Sequence, residues 1–247
     1  MRLINPTQAR RRIARLCWGL LGAVIVTCSA ACGSNKLTRS SAATLIESSE
    51  AFRKPVTISL LPEYRQTLAL IGEGSRDMPK EEFALHRFLE SHADLAALSH
   101  LGLVEFKVTG IQYPDSASSP VTITSSLTSK GSSAARQWQQ SGEGWTIPIA
   151  KRELVEVTGL TGGEGESKQA RVEYTWRWLP TEAGASFDVS GQAYQSLPAS
   201  VRQNLGGASF GDMLRAAGQR LPFDSSKSQK GEATLQLYDD GWRVAGP

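Results

Sequence analysis

At 247 residues the chain has the length of one large or two small domains. Its 40% hydrophobic and 21% charged residues place it with ordinary globular proteins, outside the disordered and fibrous classes. The formal charge of +3 is a poor guide to partners, because Arg2, Arg10, Arg11, Arg12 and Arg15, five of the 27 basic residues, fall in the first 31 positions with none of the 24 acidic ones. The remaining 22 basic and 24 acidic residues leave about −2, which argues against nucleic acid as a partner. Cys17, Cys28 and Cys32 are the only cysteines, so residues 33–247 can form neither a disulfide nor a cysteine-based zinc site.

The five arginines run directly into the apolar stretch Leu16 to Val26. Eleven helical residues rise about 16 Å against roughly 30 Å for a hydrocarbon core, which suits the apolar part of a cleaved signal peptide better than a membrane helix. The cationic head keeps the N-terminus inside and sends the rest outward. Ser29, Ala30 and Ala31 supply the narrow side chains a signal peptidase needs, and Cys32 follows at once. Here the chain resembles bacterial lipoproteins, with Ser29 where that family prefers leucine. The resemblance implies a signal peptide over 1–31, lipidation of Cys32 by fatty acyl groups such as palmitate, a polar tether over 32–37, and a body facing the periplasm or exterior. Ordinary cleavage after Ala31 and an uncleaved anchor with an incidental cysteine are the alternatives. The residues around Arg11 and Arg12 fit a twin-arginine signal poorly.

Beyond the tether, Leu45, Ser49 and Phe52 share a helical face over Thr38 to Phe52, with Thr38 or Ser40 as N-cap and Pro55 closing the segment. Val56, Ile58 and Leu60 then alternate as in a strand. After a loop containing Gly72, Gly74 and Pro79, helical spacing returns from Lys80 to His92, and a second short helix carries Leu95, Leu98 and Leu101 up to Gly102. Val104, Phe106 and Val108, followed by Val121 and Ile123, predict a hairpin. Leu98, Leu101, Gly102, Leu103 and Val104, the intervening wing, and Leu127, Thr128, Lys130 and Gly131 resemble a winged-helix domain, expected over 38–138. That likeness implies DNA binding in the cytoplasm. Outside a membrane, with a net charge of only +1 from Leu95 to Trp138, a degenerate winged helix used as a protein-contact module, or a different small α+β arrangement, is expected in place of DNA recognition.

Gln139 to Gly144 has the composition of a linker, and an antiparallel sheet domain is expected over 145–247. A strand from Thr146 to Thr158 joins another across the Gly-rich stretch 159–169. In the second strand Arg171, Glu173, Thr175 and Arg177 alternate with Val172, Tyr174, Trp176 and Trp178, so one face is core and the other wet or in contact with a partner. Short helices are predicted over Pro198 to Leu205 and Asp212 to Arg220, then a strand through Ala233, Leu235 and Leu237 and a turn at Asp240 and Gly241. The Tyr238 to Val244 run resembles the last hairpin of cystatin-like and nuclear-transport-factor-like folds. The expected class is therefore α+β, a small winged-helix-like domain followed by a twisted antiparallel sheet with short helices on one face.

Gly207, Ala208, Ser209, Phe210 and Gly211 match the G-x-S-x-G pattern of a hydrolase elbow, but that motif needs a buried strand before it and a histidine after it. His86, His92 and His100 all precede it, so a helix-linking turn is the expected role. The three histidines lack the i, i+4 pairing of a zinc helix and are expected to be packed or solvated. Asp239 and Asp240 suit a turn better than a calcium loop. Trp176 and Trp178 beside Arg177 form either core or a ligand platform, with the period of two favouring core. The expectation is thus an envelope lipoprotein with a non-enzymatic binding or scaffolding body, no cofactor and no metal, touching the membrane through Cys32 and a further envelope protein through its body. A periplasmic serine hydrolase using Ser209 and an extracytoplasmic sensory or regulatory module are the alternatives.

Overall fold

A computed structural model describes residues 36–72, 77–163, 167–207 and 221–245. The elements in chain order are α1 (Arg39–Ser48), α2 (Glu50–Arg53), β1 (Val56–Leu60), β2 (Glu63–Ala69), α3 (Lys80–Ser91), α4 (Ala93–His100), β3 (Val104–Ile111), β4 (Ser118–Leu127) and α5 (Ser129–Ala134). They continue with β5 (Gln139–Ser141), β6 (Gly144–Gly162), β7 (Gln169–Pro180), α6 (Gln192–Gln195), α7 (Ala199–Gly206), β8 (Gln229–Tyr238) and β9 (Gly241–Val244). The architecture is α+β: a curled antiparallel sheet of order β1-β6-β7-β8-β9, with β5 also on β6, a three-stranded sheet of order β2-β4-β3, and short helices. No helix among the described residues is long and apolar enough to cross a membrane.

The single helix expected from Thr38 to Phe52 is two. Thr38 and Ser41 form a reciprocal capping box at the start of α1. At Ser49 the backbone turns extended (φ −67°, ψ 142°), and its hydroxyl oxygen accepts from the Phe52 N–H to begin α2. Ala42, Ile46 and Phe52 then face a core shared with Val157, Ala170, Val172 and Leu235.

β7 carries out the alternation written in its sequence. Ala170, Val172 and Trp178 are buried and Tyr174 and Trp176 half-buried, whereas Arg171, Glu173 and Arg177 are exposed. On the wet face Glu173 stands opposite Glu232, an unfavourable like-charge pair that Arg171 bridges at 3.8 and 2.7 Å. Arg177 meets Glu153 of β6 in the same way, at 2.5 Å.

Two expectations about the middle of the chain change. β1 pairs with β6 from Val56 opposite Ala150 to Leu60 opposite Trp145, so it extends the large sheet that was assigned to the C-terminal half alone. Gln139 to Gly144, expected as a linker, is the β5–β6 hairpin, with Gly142 in the left-handed region (φ 59°). A continuous core accordingly joins Val56 and Ile58 to Phe88, Leu98 and Ile123 on one side and to Ile147, Trp178 and Phe187 on the other. The described residues form one compact unit.

β2 was not anticipated. Tyr64 and Leu68 turn inward from it and Arg65 and Thr67 outward, and Glu63 to Ala69 pair with Thr124 to Ser118. Tyr64, Phe88, His92 and Phe106 pack as an aromatic cluster with ring centroids 4.5 to 6.3 Å apart.

Candidate functional site

α3, α4 and α7 enclose a groove of about 340 Å³, within the range of small-molecule sites. Leu89, Ala96, Pro198 and Val201 give it an apolar floor, and His86, Glu90, Ser99, His100, Ser200 and Asn204 a polar rim. Each helix is placed by its buried face: Phe83, Ala84 and Phe88 on α3, Leu95 and Leu98 on α4, Leu205 on α7. The α7 side is fastened by Asn204, whose side-chain amide donates to the Glu90 carbonyl at 3.0 Å. On the rim, Glu90 accepts from Arg87 at 2.7 Å, and His86 Nδ1 lies 3.7 Å from the same carboxylate. These groups are part-exposed, so their Coulomb energy is screened and their effect is mainly orientation. An apolar floor with hydrogen-bonding groups at the edge suits an amphipathic ligand or side chain.

Of the three histidines, His86 and His100 come together at this groove. His92 does not. Its ring stacks on Phe88 at 4.5 Å, and Nδ1 lies 2.9 Å from the Phe88 carbonyl and 3.0 Å from Ser91 Oγ, which closes the α3–α4 corner. Beside that corner burial pushes the Asp94 carboxyl above the ordinary carboxylate value, against the opposing pull of the Leu95 N–H and His92. Among the described residues no group of three or more His, Cys, Asp or Glu is arranged to hold a metal ion.

The aromatic pair has an occupant from its own chain. Trp178 is 6% exposed and meets Trp176 edge-on at 4.7 Å. The Arg152 guanidinium lies 5.2 Å from the Trp176 ring and 5.7 Å from that of Trp178 while donating to the Ala51 carbonyl at 2.5 Å. The face a ligand cation would take is thus filled by an arginine that fixes α2 to the sheet. Arg177 points to the opposite face.

A second polar centre went unnoticed in the sequence. Asp188, 5% exposed, accepts at Oδ1 from the Ser190 N–H (3.1 Å), Ser190 hydroxyl (2.7 Å) and Ser225 N–H (3.0 Å), and at Oδ2 from the Ser225 hydroxyl (2.5 Å). Burial pushes this carboxyl up, but the Ser225 and Ser190 donors together outweigh burial and hold it below the ordinary value. With the Val189 N–H donating to the Phe223 carbonyl and the Phe223 N–H to the Phe187 carbonyl, it is a clasp between two loops. Its signal was the pair of short Asp/Ser runs, Asp188 to Ser190 and Asp224 to Ser226, which are common in turns of every kind.

Cys32 and Ser209 lie outside the described residues, as does the helix expected over Asp212 to Arg220. Asp240, in the β8–β9 turn, pairs with Arg243. No protein-family model, no curated protein and no solved structure matches the chain.

Proposed function

We propose that this chain is a cell-envelope lipoprotein, anchored through acylated Cys32, whose body is a non-enzymatic binding or scaffolding module for another envelope component. The observation that carries the anchor is the order of residues at the N-terminus: five arginines, a brief apolar run, then Ser29, Ala30, Ala31 and Cys32. Acylation as a thioether also accounts for a lone cysteine in an oxidising compartment, where a free thiol is a liability. Support for the binding role comes from the groove between α3, α4 and α7, whose volume and mixture of apolar and polar lining suit a ligand. The test is intact-mass measurement on the membrane fraction. A terminus at Cys32 carrying diacylglycerol is expected, and a soluble product starting at Cys32 with no lipid mass defeats the proposal. For the body, Val201→Trp fills the groove and is expected to abolish capture of the envelope component while leaving thermal unfolding in place.

A second reading, an extracytoplasmic sensory or regulatory module, is favoured by the connectivity of residues 63–127. Strand, helix, helix and hairpin follow one another, and β4 lies between β2 and β3, a compact arrangement suited to a contact module. Its outer face mixes Glu63, Arg65, Glu105 and Lys107, which suits protein contact better than a duplex. Duplex DNA retained by the processed chain at moderate salt would promote this reading over scaffolding, and none is expected.

A further inference from the structure

Leu37 is 2% exposed and packs at the closed end of the β6–β7 hairpin. A methyl group built on Gly163 would stand 3.2 Å from the Leu37 Cβ and 3.3 Å from that of Ala170. Leu37 shares its core with Ala42, Ile46, Val157, Val172 and Leu235, so the polypeptide is pinned to the body from this residue onward.

Only Gly33, Ser34, Asn35 and Lys36 separate Leu37 from Cys32. Five residue steps reach at most about 18 Å, whatever path they take. The antiparallel register gathers several turns at the same end of the sheet. Gly162 lies opposite Ala170, Gln169 opposite Gln236, and Tyr238 opposite Gly241. The far end of β6 is defined equally well by Leu60 opposite Trp145 and Ser141 opposite Gly144. The 19 residues of β6 have a contour of about 60 Å, more than three times the reach of the tether.

We propose that the β6–β7 tip, at Thr161 to Gly163 and Lys168, together with the β8–β9 turn at Tyr238, is the membrane-proximal surface of the body. Its partner is the phospholipid headgroup layer of the membrane that holds the anchor, and the β5–β6 end points away. This rests on the acylation of Cys32 proposed above. The occupant follows from covalent reach: a bilayer fixed to Cys32 is within about 18 Å of Leu37, and no other partner is delivered to that end by the chain itself.

The absence of cysteine from residues 33–247 makes the test direct. Thr161→Cys and Tyr238→Cys at the near end, and Gln140→Cys and Glu143→Cys at the far end, replace exposed side chains. Each variant is produced as the full chain, processed, labelled with bimane and reconstituted into phosphatidylcholine–phosphatidylglycerol vesicles carrying headgroup spin-labelled lipid. Quenching is expected at positions 161 and 238 and little at 140 and 143, because the length of β6, about 60 Å, separates the two ends. Equal quenching at the two ends, or stronger quenching at 140 and 143, overturns the orientation. The intact mass of the floated protein separates the two ideas. With diacylglyceryl mass present and quenching equal, acylation stands and the orientation falls, and with no lipid mass both fall.

Discussion

Replacing Asp188 by Asn keeps the shape of the clasp between residues 188–190 and 223–225 and removes its charge. In the wild-type protein four donors converge on one carboxylate. Hydrogen bonds to an ionised group contribute about 1.5–3 kcal/mol against about 0.5–1.5 for neutral partners. The four share a single charge and are not additive, so Asp188→Asn is expected to cost about 2 kcal/mol near pH 7. The folded carboxyl titrates below its unfolded value, so its contribution is complete above the unfolded pKa of about 4 and is lost as pH falls through the lower, folded value. Urea unfolding of the processed wild-type and variant chains from about pH 7 to about pH 2.5 reads this directly. The stability gap is expected to be wide at neutral pH and to close on acidification, once the wild-type carboxyl is also neutral. A gap that stays constant across the series, or a variant as stable as wild type near pH 7, would refute the account of Asp188 as an ionised clasp.

Gly184→Ala would place a methyl group 1.7 Å from the Ile149 carbonyl oxygen, and a loss of about 3 kcal/mol or more in thermal or urea unfolding is expected; Gly206→Ala, with nothing within 4 Å, is expected to be neutral or to stabilise by up to about 1 kcal/mol. Thr38→Ala removes the capping box of α1 and is expected to cost about 1 kcal/mol, with faster amide exchange in the first turn of α1. Ser209→Ala is expected to leave every measurable ester or amide hydrolysis by the purified protein unchanged, and a loss of such activity would install the serine-hydrolase alternative in place of scaffolding.

Some of the architecture could be read directly because it is local. The alternation from Arg171 to Trp178 specifies a two-faced strand, since successive side chains leave opposite faces of any strand. The helices α3 and α4 and the hairpin of β3 and β4 were legible for the same reason. Gln66 interrupts the apolar series between Tyr64 and Leu68, and this concealed β2, whose inward face closes over Phe88. The supposed linker after Trp138 has polar residues and glycines because it is a tight hairpin, a composition that loops and turns share.

The candidate sites divide in the same way. Nothing near His86 in the sequence announces α7, because Asn204 reaches the Glu90 carbonyl across 114 positions. Asp188 and Ser225 are 37 positions apart, and Arg152 acts on two tryptophans of the neighbouring strand. Each of these arrangements depends on which elements pack together.

The amino-acid order alone determined the cationic head, the short apolar run, the position of Cys32 and the two-faced character of β7, because charge, hydrophobic length and side-chain period act along the chain. Tertiary structure decided that β1 joins β6, that His86 and His100 meet at one groove while His92 closes a corner, and that Leu37 is pinned to the hairpin tip. Those outcomes come from burial and strand pairing between distant residues, whose free energy depends on the partner each face finds.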